Sequence, residues 1–145
     1  MECTHGIHDD FMYYLKYKDQ SLIDLYIDLR AFVKSLNPDS NEFLYHTHAL
    51  TSVYSVSDKL GDAFCMIPIY TNHLNLGFNR GTLLNDTHQL LQGTGKYIRH
   101  IPIEKPSDYR NDRVKKLILA AITFAKNDTN SIPIQSGKII SKIKR

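Results

Sequence analysis

Four basic side chains and two glycine turns fall close together in the middle of the sequence, and they are the residues most able to do chemistry. The basic side chains are Arg80, Lys96, Arg99 and His100. Guanidinium and ammonium groups bind phosphate or carboxylate, and the backbone N–H groups of a turn can add further donors. The spacing therefore predicts a site for a small anion.

The predicted ligand-binding set adds an amide and two turn glycines to three of these cations. Its members are Asn79, Arg80, Gly93, Gly95, Lys96 and Arg99. Arg99 and His100 are neighbours, so on a strand they face opposite sides, and one of them is expected to be structural. The alternative for Arg80 is an ion pair that fixes the turn around it, because charge clusters are often structural networks.

The run Gly93–Lys96 has part of the pattern of a nucleotide-binding phosphate loop. A Walker A loop would need glycine in place of Leu90 and serine or threonine in place of Tyr97. The sequence also contains no Gly-x-Ser-x-Gly motif, no His-Glu-x-x-His motif and no recognisable catalytic cysteine context. We therefore expect a binding protein and not an enzyme.

Metal-capable residues occur at two places. The first group is Cys3, His5, His8, Asp9 and Asp10, whose spacing does not match a standard zinc site, so a polar chain terminus is favoured. The second is His46 and His48, which would share one face of the chain if it is extended there. Neither group identifies a metal.

Length and composition predict one compact cytoplasmic domain. The chain has 145 residues, of which 42% are hydrophobic. The longest apolar run, Ala63–Tyr70, is too short to cross a bilayer, and Asp9 and Asp10 stand where a signal peptide would need basic residues. The two cysteines lie in different settings and are expected to be reduced thiols.

The formal charge of +3 is confined to the C-terminal part of the chain. Residues 127–145 contain four cations and one carboxylate, which account for the whole excess, so residues 1–126 are neutral. A neutral body makes nucleic acid an unlikely partner. We predict a single domain over residues 1–128 and a basic tail over 129–145 that either docks or stays mobile.

Residue periodicity predicts an α+β fold, with helices packed on an antiparallel sheet. The predicted helices begin at Asp19 and end before Pro38, run from Asn85 to Gln92, and run from about Asn111 to Asn127. The predicted strands are Leu50–Ser57, Ala63–Tyr70, His73–Phe78 and Tyr97–Ile103.

The run Leu74–Gly81 is followed by Leu90–Lys96 and then by Arg99 with His100. Together these three pieces resemble the YdhG-like domain family, a large bacterial family catalogued as a domain of unknown function. It implies a small α+β domain. One branch of the family is described as a frataxin-like intracellular iron chaperone, so the resemblance also implies iron as a possible cargo.

Three functions follow as hypotheses. The first is binding of a small ligand or anion by the set around Arg80. The second, implied by the resemblance, is iron delivery through carboxylates such as Asp86, Glu104 and Asp108. The third is a protein-interaction module that uses exposed tyrosines and the C-terminal tail.

Overall fold

A computed structural model describes residues 6–129 and 136–145. The helices are α1 (Asp9–Leu15), α2 (Gln20–Leu36) and α3 (Asp112–Asp128). The strands are β1 (Asn41–His46), β2 (Leu50–Ser55), β3 (Ala63–Ile69), β4 (Leu74–Phe78), β5 (Arg99–Ile103) and β6 (Ile139–Ser141). The predicted α+β class is confirmed, and so are the two long helices and the meander of β2, β3 and β4.

The strands form one six-stranded sheet in the order β5-β4-β3-β2-β1-β6. Strands β1 to β5 pair antiparallel with their neighbours, whereas β6 runs parallel to β1. The sheet is therefore mixed, and the prediction of a purely antiparallel sheet was wrong. The difference arises because α3 lies between β5 and β6 in the sequence and returns the chain to the far edge.

The three helices pack on the same face of the sheet and enclose the main hydrophobic core. Their apolar stripes include Phe11 of α1, Leu29 of α2 and Ile118 of α3, all fully buried. Sheet residues such as Ile67 and Leu76 complete this core. None of the helices in the described ranges has the length and apolar content needed to span a membrane. The opposite face of the sheet carries no helix from those ranges.

A buried polar network fixes α2 to β1 and β2. The Arg30 guanidinium donates to both oxygens of Glu42, from Nε at 2.9 Å and from Nη2 at 2.7 Å. The Tyr54 hydroxyl donates to Glu42 Oε2 at 2.9 Å and lies 2.9 Å from Ser52 Oγ. The Tyr26 hydroxyl then donates to Ser52 Oγ. Since each member has a partner, the network gives α2 a defined position over the sheet.

The C-terminal segment lies on the edge of β1. Glu42 donates its backbone N–H to the Lys138 carbonyl at 2.8 Å, and Lys142 donates to the Leu44 carbonyl at 2.8 Å. Ser141 Oγ donates to Asp10 Oδ2 at 2.6 Å, and Ile143 is buried in the main core. Of the two states predicted for the tail, the docked one is therefore seen for residues 136–145.

The short helix predicted for Asn85–Gln92 was wrong. The Asp86 carboxylate accepts the backbone N–H groups of Leu90 and Leu91, both at 2.8 Å, which is the local bonding that competes with a helix. Gln89 has a φ of 54°, which no α-helix accommodates. Gln92 then forms a single antiparallel bridge with His100.

Candidate ligand-binding site

Arg80, the first cation of the predicted site, is held by an acidic partner. Its Nη1 atom donates to Asp128 Oδ2 at 2.6 Å, and its Nη2 atom donates to the Gly61 carbonyl at 3.4 Å. The cavity beside it is only about 10 Å³ and is lined by a second carboxylate, that of Asp62. A space of that size holds at most one water molecule, and the carboxylates disfavour an anion.

Arg99 is used to organise the glycine turns around it. Its aliphatic stem lies against Gly81, where an added Cβ would be 2.5 Å from Arg99 Cβ. Its Cδ atom lies against Gly93, which has a φ of +126°. Its guanidinium donates to the carbonyls of Gly95 and Ile98. Gly81 and Gly93 therefore leave room for the Arg99 side chain.

The remaining members of the predicted set do not converge with Arg80 and Arg99. The Lys96 ammonium lies 5.4 Å from the ring centre of Tyr97, and its carbonyl accepts from Thr82 Oγ1 at 2.9 Å. Asn79 and His100 both line a groove on the helix-free face of the sheet. The structure thus divides the predicted residues among three surroundings: an ion pair, a turn scaffold and an open groove.

The floor of the groove is a row of residues that crosses the sheet from β2 to β5. Strand register places Val53 beside Met66, Met66 beside Gly77, and Gly77 beside His100. An added Cβ at Gly77 would lie 2.7 Å from Met66 Cγ, so the glycine gives this methionine room to lie across the sheet. The floor of the groove is therefore flat and apolar at its centre.

The walls come from other residues on the same face of the strands and from loops at the ends of strands. They surround a space of about 490 Å³, which is within the range of about 300–1,000 Å³ for small-molecule sites. The lining residues are Tyr45, Thr47, His48, Ala49, Thr51, Val53, Leu60, Met66, Pro68, Tyr70, Asn75, Gly77, Asn79, Ile98 and His100. This lining of apolar and aromatic groups with a few polar ones is typical of ligand pockets.

The polar groups of the lining are amides, imidazoles, hydroxyls and phenols. Asn75 and Asn79 flank Gly77 at intervals of two residues, so they share its face of β4 and its extension. The Oδ1 atom of Asn79 is buried and makes no hydrogen bond with the described residues. His48 and His100 add ring nitrogens from the loop after β1 and from β5. These groups can orient a ligand by hydrogen bonds.

Two of the three carboxylates named for iron, those of Asp86 and Asp108, bond to local turns. Asp86 accepts two backbone N–H groups, as described above, and Asp108 Oδ2 accepts those of Glu104 and Lys105 at 2.8 and 3.1 Å. Within residues 6–129 and 136–145, no three His, Cys, Asp or Glu side chains are grouped as metal ligands. The iron hypothesis therefore depends on the resemblance alone.

The two histidines considered as a metal pair are separated. His46 ends β1 and stacks on Tyr14 with ring centres 4.1 Å apart, whereas His48 lies in the following turn and lines the groove. The first metal-capable group falls partly on residues 1–5, outside the described ranges; within them, His8 Nδ1 accepts the Asp10 N–H at the start of α1.

Sequence reasoning missed the groove except for Asn79 and His100. The available indication was the alternation in β4, where Asn75 and Gly77 occupy the face opposite the core residues Leu74 and Leu76.

Comparison of the chain with protein-family models, with curated proteins and with solved structures finds no match. The resemblance to the YdhG-like family therefore stays a prediction.

Proposed function

We propose that the chain is a non-catalytic, cytoplasmic domain that binds a small uncharged molecule in the groove on the helix-free face of its sheet. The observation that carries this proposal is the chemistry of the lining. The described residues of the groove include no Lys, Arg, Asp or Glu, and combine an apolar floor with amide, imidazole and phenol groups.

An anion is less well supported than a neutral ligand. Arg80 is paired with Asp128, and the Arg99 guanidinium is bonded to two carbonyls. An anion would have to displace these partners before either guanidinium could bind it. A neutral molecule in the groove would displace only water.

A binding role is also better supported than catalysis at this site. The groove contains two imidazoles and several hydroxyl groups, but its described lining includes no carboxylate to orient an imidazole as a general base. Cytoplasmic location remains the prediction made from the sequence; the buried free thiol of Cys65 is compatible with it.

The test is a panel of compounds monitored by thermal unfolding and by protein NMR. The panel contains neutral aromatic and heteroaromatic fragments, together with inorganic phosphate and small carboxylates. A ligand at about 100 times its Kd stabilises the folded state by about 2.7 kcal/mol, which raises the melting temperature by several degrees. We expect neutral compounds to raise it and to perturb resonances of groove residues.

A matched pair of variants locates the binding. Thr51→Trp places an indole in the groove from β2, where Thr51 is half-buried. Thr123→Trp makes the same change at an exposed position on α3. We expect the first variant alone to abolish the response.

Two outcomes would contradict the proposal. A response to anions that is lost in Arg80→Gln would restore the basic site predicted from the sequence. A dimer in light scattering that Thr51→Trp dissociates would show that the groove is an interface between two copies of the chain.

A further inference from the structure

A second surface, which shares Tyr70 with the groove lining, combines exposed tyrosine rings with cations from both ends of the chain. We call it the tyrosine–cation surface; it consists of Tyr13, Lys16, Tyr17, Lys18, Tyr70 and Arg145. The tyrosines are 41%, 76% and 37% exposed in chain order. Large aromatic rings that are exposed next to cations call for an explanation beyond folding.

The contacts within this surface alternate between rings and cations. The Lys16 ammonium lies 5.3 Å from the ring centre of Tyr13 and 5.1 Å from that of Tyr17. The Arg145 guanidinium lies 5.0 Å from the ring centre of Tyr13. Lys16 therefore sits between two rings that are about one helical turn apart, and Arg145 extends the row.

Two further contacts connect the surface to the sheet. Lys18 Nζ donates to the Tyr70 carbonyl at 2.9 Å, and the Tyr70 ring stacks on His73 with centres 4.7 Å apart. The Tyr14 hydroxyl donates to the Lys144 carbonyl at 3.1 Å, which holds the chain end against α1. The surface is thus assembled by the fold from three distant parts of the sequence.

The charge of the surface is positive after its internal pairing is counted. Arg145 forms an ion pair with Asp10 at 3.0 Å. Lys16 and Lys18 form no ion pair with a carboxylate of residues 6–129 or 136–145. Lys18 Nζ uses one of its three N–H groups on the Tyr70 carbonyl, so both ammonium groups keep donors for an anion.

From this arrangement we infer that the tyrosine–cation surface binds single-stranded nucleic acid. Nucleic-acid bases stack on aromatic side chains, and lysines between the rings neutralise the phosphates that connect successive bases. The neutral body of the sequence argued against nucleic acid, but docking of the C-terminal segment brings Arg145 onto α1. An acidic protein segment would use the cations and would have no need of the exposed rings.

The experiment measures fluorescence anisotropy of a labelled single-stranded oligonucleotide at several salt concentrations. With two phosphate contacts, from Lys16 and Lys18, the plot of log K against log salt should have a slope of about −1.4, because each contact adds about −0.7 for single strands. Tyr17→Leu should weaken binding by about tenfold, as expected for loss of one stacked base. Lys16→Gln should weaken binding and reduce the slope.

The control is Lys115→Gln combined with Lys116→Gln, which removes two charges from an exposed part of α3. Binding that falls as much in this control as in Lys16→Gln would overturn the inference, since it would reflect overall charge. Equal binding of polyglutamate, unaffected by Tyr17→Leu, would assign the surface to acidic proteins instead. Absence of binding at low salt would also overturn it.

Discussion

The buried ion pair between α2 and β1 offers a demanding test of the fold. Glu42 is 1% exposed and accepts three hydrogen bonds, two from Arg30 and one from Tyr54. Glu42→Gln keeps the shape of the side chain but removes its charge and one acceptor oxygen. The Arg30 guanidinium, which is 6% exposed, then remains buried with its charge uncompensated.

The expected loss of stability is large compared with the total free energy of unfolding of a domain. Removing one partner of a buried ion pair lowers the free energy of unfolding by about 3–5 kcal/mol, whereas a domain has only about 5–15 kcal/mol in all. With a denaturant slope of about 2 kcal/mol per molar, the midpoint of urea unfolding should fall by about 2 M. Circular dichroism in urea measures this directly.

Two companion variants make the result interpretable. Glu104→Gln makes the same chemical change at an exposed position and should leave the midpoint within error. Arg30→Met removes the buried charge, so Glu42→Gln should be less destabilising in that background than alone. A loss below about 1 kcal/mol for Glu42→Gln, or strict additivity with Arg30→Met, would refute the reasoning. If Glu42→Gln does not fold, Tyr54→Phe removes one bond to the carboxylate and should lower stability by about 1.5–3 kcal/mol.

Three further predictions concern single positions. Gly81→Ala should lower the free energy of unfolding by about 1–3 kcal/mol, because the new methyl group would lie 2.5 Å from Arg99 Cβ and 2.9 Å from its backbone N. The melting temperature measures this loss, and a value equal to that of the wild type would contradict the prediction. A hydrogen bond from Arg110 holds the pKa of Asp28 below its usual value, so this carboxylate contributes stability that is present above its unfolded pKa and lost as the pH falls through the folded pKa. Asp28→Asn should therefore destabilise by at most about 1 kcal/mol at pH 7, with no difference once the wild-type carboxylate is protonated in strong acid; an equal difference at both pH values would refute it. Burial raises the pKa of the Cys65 thiol, so in a variant lacking the other cysteine, thiol reagents should label the native protein only as fast as it unfolds.

The two long helices, α2 and α3, were predictable because their pattern needs no distant partner. In α3 the apolar residues recur at the helical period, and Asn111 is the N-cap, accepting the Val114 N–H through its side chain at 2.9 Å. The same local logic located β2 and β3, whose sequences combine β-branched and apolar residues, and β4, in which apolar residues alternate with Asn75 and Gly77. It failed for Asn85–Gln92, where one Asp86 side chain outweighs the propensity of the segment.

Strand β1 was missed because two of its four buried residues are polar. Sequence patterns take a buried position to be apolar, yet Asn41 and Glu42 are 0% and 1% exposed. Their burial is possible only because distant groups complete their hydrogen bonds: Asn41 donates to the Ser57 carbonyl and accepts from the Lys138 N–H, and Glu42 accepts from Arg30. A pattern within six residues contains no information about those partners.

The prediction of a basic site illustrates the opposite error. Residues that lie close together in the sequence were expected to act together in one site. Arg80 finds its partner 48 residues away in Asp128, and Arg99 bonds to carbonyls of its own loop. The groove, in contrast, draws its lining from five strands, and each contributes only one or two side chains. Those side chains alternate with core residues and look like ordinary solvent-facing positions in every single strand. Their shared lack of Lys, Arg, Asp and Glu becomes visible only when the strand register sets them side by side, which is why the proposal of an uncharged ligand rests on the fold and not on any motif.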